Sequence, residues 1–297
     1  MNIKHTPPVE FLQEETRIGY TISAEMKKLW AVQMDLLQYL LDICNKHGLR
    51  IYADGGTLLG AIRHHGFIPW DDDIDMVMLR DDYDRLMAMA DEFEHPYFLQ
   101  NVYTDAHYTH RHAQVRNSDT ACWGVDQKGC TDKYNQGIFI DIFPADILPT
   151  TARGFSRYYN KETRAKQRFR FVSKFCNAMP EFLYKWMRNN TKYFSDKHMF
   201  SEYENAVRGQ SPKGNAPVCE IAFNHSSPIN FYEEYGEPLY ADFEYIKIPI
   251  PRQSHAMLER QYGADYMTPQ HVSAMHGGFN FDVERSYKQL TQVTYKK

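Results

Sequence analysis

Five aspartates in the first half of this 297-residue chain stand where carboxylates could hold a cation. Four form the acidic cluster Asp71-Asp72-Asp73-Ile74-Asp75, and the fifth, Asp141, interrupts the apolar run Gly137-Ile138-Phe139-Ile140-Asp141-Ile142-Phe143. In an extended segment side chains alternate, so Asp71, Asp73 and Asp75 are expected on one face, with Asp72 and Ile74 on the other. Three carboxylates within about 7 Å of one another repel strongly unless a cation or a base neutralises them. Hard oxygen ligands of this kind suit Mg²⁺ or Mn²⁺ with positions open for substrate phosphates. The plain alternative is a solvated acidic turn. Against it, the cluster abuts the apolar run Met76 to Leu79, which places the carboxylates at a sheet end. Upstream, a strand ending near Asp54 runs into Gly55-Gly56-Thr57 and a helix, where backbone N–H groups and the positive end of the helix dipole suit a phosphate. Cradle and carboxylates together make a phosphoryl-transfer site. Asp141 belongs to it because a charge inside an apolar strand is costly unless ligated or paired. A bond to Arg or to backbone is the other reading of that residue.

Further groups lie around this centre. Arg63, near the end of the glycine-led helix, and Arg116, in a strand-like segment from His112, either neutralise phosphate oxygens or form ordinary ion pairs. Trp70 either stacks on a nucleobase or packs the turn Phe67-Ile68-Pro69-Trp70. His64 and His65 read as helix-end histidines.

The run Gly55-Gly56-Thr57-Leu58-Leu59-Gly60-Ala61-Ile62-Arg63, followed by Gly66-Phe67-Ile68-Pro69-Trp70-Asp71-Asp72-Asp73-Ile74-Asp75, resembles the signature of the LicD phosphotransferase family. That family includes bacterial phosphocholine transferases, fukutin and fukutin-related protein. The resemblance extends to Phe139-Ile140-Asp141-Ile142-Phe143-Pro144 and to Tyr262-Gly263-Ala264-Asp265-Tyr266-Met267. It implies an α/β (α+β) fold with a nucleotidyltransferase-like mixed sheet. In that fold Gly55, Gly56 and Thr57 and the pair Asp73 and Asp75 would hold a nucleotide diphosphate and its metal. Asp71 is an additional carboxylate and Asp141 the third acid, able to complete the metal shell or to accept a proton. The implied chemistry is transfer of phosphocholine, or of a polyol phosphate, from a CDP-linked donor to a hydroxyl of a glycan or lipid-linked glycan acceptor, releasing CMP. Two alternatives keep the fold: nucleotidyl transfer with pyrophosphate release, and a non-catalytic scaffold for glycan assembly.

The elements that must position these residues follow from pattern. Apolar residues from Met26 to Cys44 recur at helical spacing between a Ser23 cap and a Gly48 stop. Strands are expected at Leu49 to Asp54, Met76 to Leu79, Tyr97 to Tyr103, His112 to Asn117, Thr120 to Val125 and Gly137 to Phe143, with a helix from Asp81 to about Phe93. Residues 1–150 thus read as a catalytic core and 151–297 as a mainly helical region that completes the fold. In the second part come helical pieces broken at Pro180 and around 211–217, a strand at Tyr245 to Pro251, a helix from Arg252 to Tyr262 and a turn at His276-Gly277-Gly278.

Composition bounds the rest. Net charge is −4 and pI near 6.4, which argues against a general nucleic-acid binder. The five cysteines form no CxxC pair and read as buried hydrophobes. No apolar run is long enough to span a membrane and the first residues lack a signal-peptide core, so a cytoplasmic protein is expected. The Arg, Lys and aromatic stretch from 153 to 200 fits either peripheral contact with a membrane or core helices. Aromatic residues make up 14% of the chain, and Trp123, Tyr134, Phe139 and Trp186 either cage a quaternary ammonium or pack the interior.

Overall fold

The computed structural model describes residues 1–191, 193–208, 214–220, 229–270 and 279–291. The chain opens with the hairpin β1 (Glu15–Arg17) and β2 (Tyr20–Ile22), then α1 (Ala24–His47), β3 (Tyr52–Ala53), α2 (Gly55–His64), β4 (Asp75–Leu79) and α3 (Arg80–Met87). Next come β5 (Tyr97–Gln100), β6 (Ala113–Asn117), β7 (Ala121–Gly124) and β8 (Ile138–Ile147). Three helices follow, α4 (Ala152–Ala178), α5 (Glu181–Asn190) and α6 (Asp196–Val207), then β9 (Pro217–Cys219), β10 (Asn230–Phe231) and α7 (Tyr232–Tyr235). The C-terminal part holds β11 (Leu239–Phe243), β12 (Ile246–Ile250), α8 (Ser254–Tyr262), β13 (Phe279–Asp282) and α9 (Tyr287–Leu290). The turn expected at 276–278 lies outside the described residues.

The architecture is the mixed α/β one expected. Its axis is β8, whose near-continuous apolar run is what a strand covered on both faces requires. β4 runs parallel to β8 on one side, while β6 and then β9 pair antiparallel with it on the other. β5 extends the sheet beyond β6, β10 beyond β9, and β3 beyond β4. Because β4 and β8 are parallel, their register sets Asp75 directly beside Asp141. That pairing joins the two acidic motifs, 66 residues apart in sequence.

Helix α1 packs beneath the sheet, capped by Ser23 accepting from the Met26 N–H at 3.1 Å and ended by Gly48 at φ 60°. Its midsection from Leu29 to Leu37 is buried on every side, more enclosed than the single apolar face its sequence suggests. The main core gathers α1, α2, β4 and β8, together with Phe243, Ile248, Ile250 and Leu258 from the C-terminal part. A second core forms where α4 and α6 pack over Val102, Tyr108 and Leu148. All five cysteines are reduced and buried, as expected.

One clamp bears directly on the site. Glu244, in the turn between β11 and β12, receives two bonds from Arg17 (2.6 and 2.8 Å) and one from the Phe67 N–H at 3.0 Å. A Cβ on Gly66 would lie 2.2 Å from the Glu244 carboxylate, so only glycine fits there. The turn that leads into the acidic cluster is thereby pinned to both the N-terminal and C-terminal hairpins.

Candidate active site

The site is assembled at the start of α2. β3 ends at Ala53; Asp54 follows at the N-cap position of α2, and its N–H donates to the Asp75 carbonyl at 3.0 Å. The Thr57 hydroxyl accepts from the Asp75 N–H at 2.9 Å, so the first turn of α2 fixes the first residue of β4. A Cβ on Gly55 would stand 3.6 Å from Asp75 Oδ2, and one on Gly56 only 2.7 Å from Asp71 Oδ2. Gly56 is required by the closeness of the Asp71 carboxylate, and Gly55 by its left-handed backbone at φ 49°. The Asp71 and Asp72 carbonyls accept from Trp30 Nε1 (3.0 Å) and Gln33 Nε2 (2.8 Å), which anchors the acidic loop to α1.

One oxygen from each of Asp71, Asp72 and Asp73 can be chosen so that all lie within 4.8 Å of one another. This corrects the alternation expected from an extended segment. Residues 71–74 precede the strand, which begins only at Asp75, and the loop turns Asp72 toward its neighbours instead of away from them. The electrostatics record the crowding. Burial and then the Asp73 carboxylate push the Asp71 carboxyl up to about 8. For Asp75, burial and then the charges of Asp73, Asp141, Asp54 and Asp71 hold the carboxyl well above the usual range. Such a centre holds protons until a cation replaces them.

Asp141 behaves differently. Burial would raise its carboxyl, but the facing His112, through charge and a 2.9 Å contact from Nε2 to Oδ1, and Gln114, donating to the same oxygen at 2.7 Å, hold it below the ordinary value. Gln114 is in turn oriented by Arg116, whose NH2 donates to the Gln114 side-chain oxygen.

Comparison with known proteins bears on this geometry. Residues 48–183 match the family model described as LicD/FKTN/FKRP, nucleotidyltransferase domain, a span that contains Asp54, the acidic loop and Asp141. The lipopolysaccharide cholinephosphotransferase LicD of Haemophilus influenzae is 28% identical over 261 residues, covering 80% of this chain and 89% of the relative. Over residues 48–183 this chain is similar to the LicD-type transferases. The ribitol 5-phosphate transferase FKRP of Homo sapiens is 40% identical over 45 residues, which is 15% of this chain and 9% of that protein.

The structure brings Gly55, Gly56, Thr57, Asp71, Asp73, Asp75 and Asp141 into one centre. It does not bring Arg116 there. That guanidinium is 6% exposed, lies 4.7 Å over the Phe139 ring, and spends its donors on Gln100, Gln114 and the Gly137 carbonyl. Arg116 thus orients Gln114, and through it Asp141. Arg63 donates to the Tyr266 carbonyl at 2.7 Å and to His64 Nε2 at 2.9 Å, and it pairs with no carboxylate among the described residues. Trp70 is half-buried and meets Tyr20 and His64 edge-on, which is the packing role. Trp123 packs in a small cluster with Cys130 and Tyr287, Phe139 lies edge-on to Phe279, and Trp186 stands exposed on α5.

Four residues around this centre went unassigned in the sequence. His112 and Gln114 are recognisable only once β6 is placed beside β8, where Gln114 falls opposite Asp141. Glu220 lies buried against Asp54, and burial raises both carboxyls so that the pair keeps a proton between them. No local pattern marks Glu220. Tyr262, whose hydroxyl would lie 4.0 Å from a Gly55 Cβ, sits at the head of the C-terminal motif, which was the available signal.

Proposed function

We propose that this chain transfers phosphocholine from CDP-choline to a hydroxyl of a cell-surface glycan precursor, a lipopolysaccharide, teichoic acid or capsule unit, and releases CMP. The observation that carries the reading is the carboxylate centre seated against the glycine-led start of α2, with Asp75 and Asp141 in register. Its oxygen-only donor set fits a hard divalent cation, Mg²⁺ or Mn²⁺: Asp73 belongs to the group Asp71, Asp72 and Asp73 whose oxygens can come within 4.8 Å of one another, and Asp75, crowded by Asp73 and Asp141, would complete the shell with Asp141. Such an ion supplies charge neutralisation at the donor diphosphate. The start of α2 offers N–H groups to the same phosphates, and Arg63, lacking a carboxylate partner among the described residues, can neutralise another oxygen.

The acceptor hydroxyl must lose a proton as it attacks phosphorus in line with the departing CMP oxygen. Asp141 is the group to take it. It is kept ionised by His112, and with Oδ1 already accepting His112 and Gln114, Oδ2 remains for the acceptor.

The test is CMP release from CDP-choline, CDP-ribitol and CDP-glycerol, each with a panel of glycan acceptors and with Mg²⁺ or Mn²⁺. Turnover with CDP-choline that disappears in Asp73→Ala and Asp75→Ala supports the reading. No CMP from any donor, or pyrophosphate in its place, overturns it. A polyol-phosphate donor is the second reading, favoured by the FKRP match.

A further inference from the structure

Helix α4 carries Arg157, Lys161, Arg164, Arg168, Phe171 and Phe175 at steps of four, three, four, three and four residues, and all six are exposed. At 3.6 residues per turn they form one stripe about 27 Å long. The four cations face α6 across a groove of about 680 Å³. Glu202 is the groove's single acid and is engaged by Arg168 at 2.9 Å, while Lys161 donates to the Asn205 carbonyl at 2.9 Å. Arg157 and Arg164 have no carboxylate partner among the described residues. Like charges at this spacing oppose the helix that carries them, so the row is retained for something other than folding.

The stripe ends in aromatic residues. Phe175 meets Phe194 edge-on at 5.5 Å, and on α5 Phe182 and Trp186, one turn apart, are 76% and 57% exposed. Charge follows the same division. Residues 153–197 hold 12 Lys and Arg against 3 Asp and Glu, a net +9, whereas the rest of the chain, 22 against 35, carries −13.

We infer that the α4–α5 face docks on an anionic phospholipid surface, the groove taking lipid phosphates and the rings of Phe171, Phe182 and Trp186 entering the interfacial layer. No helix among the described residues is long and apolar enough to cross a membrane, so the contact is peripheral. A bilayer fits better than a nucleic-acid strand. The rings stand beyond the end of the cationic row on convex helix surfaces, suited to entering a plane, whereas stacking on bases needs rings interleaved with the cations along one groove. The inference rests on this surface alone and does not depend on which donor the site uses.

Sedimentation of the full chain with vesicles tests it in the absence of any donor. Binding is expected to vesicles containing phosphatidylglycerol and not to pure phosphatidylcholine, weakening about tenfold or more between roughly 0.05 and 0.5 M salt. Arg157→Glu with Arg164→Glu should weaken vesicle binding by about tenfold or more, and Phe182→Ser with Trp186→Ser should remove the part that survives salt. Circular dichroism checks that both variants fold, and CMP release with a soluble acceptor should match the parent chain. Absence of binding to anionic vesicles at low salt, equal binding to neutral ones, or unchanged binding in both variants overturns the inference. So does capture of an RNA oligonucleotide without vesicle binding. Loss of CMP release with vesicle binding intact would instead strike the catalytic reading.

Discussion

Asp75 is fixed from both sides, its N–H held by the Thr57 hydroxyl and its carboxylate packed at Gly55. Thr57→Val keeps the shape and deletes the acceptor, so it should cost about 1–3 kcal/mol of stability in chemical denaturation and lower kcat more than it raises the donor KM. Arg116→Met tests the reassigned arginine. It leaves Gln100, Gln114 and the Gly137 carbonyl without their donor, and a loss of about 3 kcal/mol or more is expected, with little change in donor KM in whatever folded fraction remains. A large KM increase in a stable variant would return Arg116 to the phosphates. Burial and the neighbouring carboxylates push the Asp71 carboxyl up to about 8 and the Asp75 carboxyl well above the usual range, so a cation taken up here as proposed would displace protons. Calorimetry in two buffers of different ionisation enthalpy should register proton release on Mg²⁺ binding, with affinity rising from pH 6 to 8. Identical heats in both buffers would mean the carboxylates were already ionised. At this scale the sequence was legible where carboxylates are concentrated, and the structure brings Asp71, Asp73, Asp75 and Asp141 together. It was illegible at Gln114 and Glu220, whose partners are set by strand pairing and burial and not by neighbours in the chain.

Among the elements, α2 carries the most consequence. Gly56→Ala would drive a methyl into Asp71, 2.7 Å from its Oδ2, so turnover should fall by at least about a hundredfold even if the melting temperature holds. A fully active Gly56→Ala enzyme would show that Asp71 is free to move aside. The other end of α2 is pH-sensitive. Burial and then the charges of Arg63 and Arg17 lower the His64 imidazole from 6.5 to about 4. A depressed histidine stabilises the fold above its unfolded value and loses that contribution as pH falls. Urea melts of the parent chain and His64→Gln should therefore converge as pH drops from about 6.5 to 4. Most elements could be read from period and punctuation: α1 between Ser23 and Gly48, the break at Pro180, the apolar β8. The acidic loop was misread because alternation holds only inside a strand, and hydrogen bonds from Trp30 and Gln33 on α1 bend this segment before β4 begins.

For the molecule as a whole, the sequence displayed the catalytic motifs but not the means of closing the core over them. Phe243, Ile248, Ile250 and Leu258 enter the same interior as α1 and β4, and Glu244 pins the turn before Asp71, yet nothing in the local pattern of β11 and β12 announces those distant contacts. A fragment of residues 1–190 should consequently lack a cooperative thermal transition and bind a hydrophobic dye, while the full chain melts in one step; a cooperative melt of the fragment would show that its core closes without the C-terminal strands. The Glu244 clamp also has a consequence in time. A ribosome delivers every aspartate of the site more than 90 residues before Glu244 emerges, so during synthesis the nascent acidic loop exists without the brace that shapes it. The proposed metal affinity would then arrive late and abruptly on the ribosome, with the β11–β12 hairpin, although the carboxylates themselves are made early.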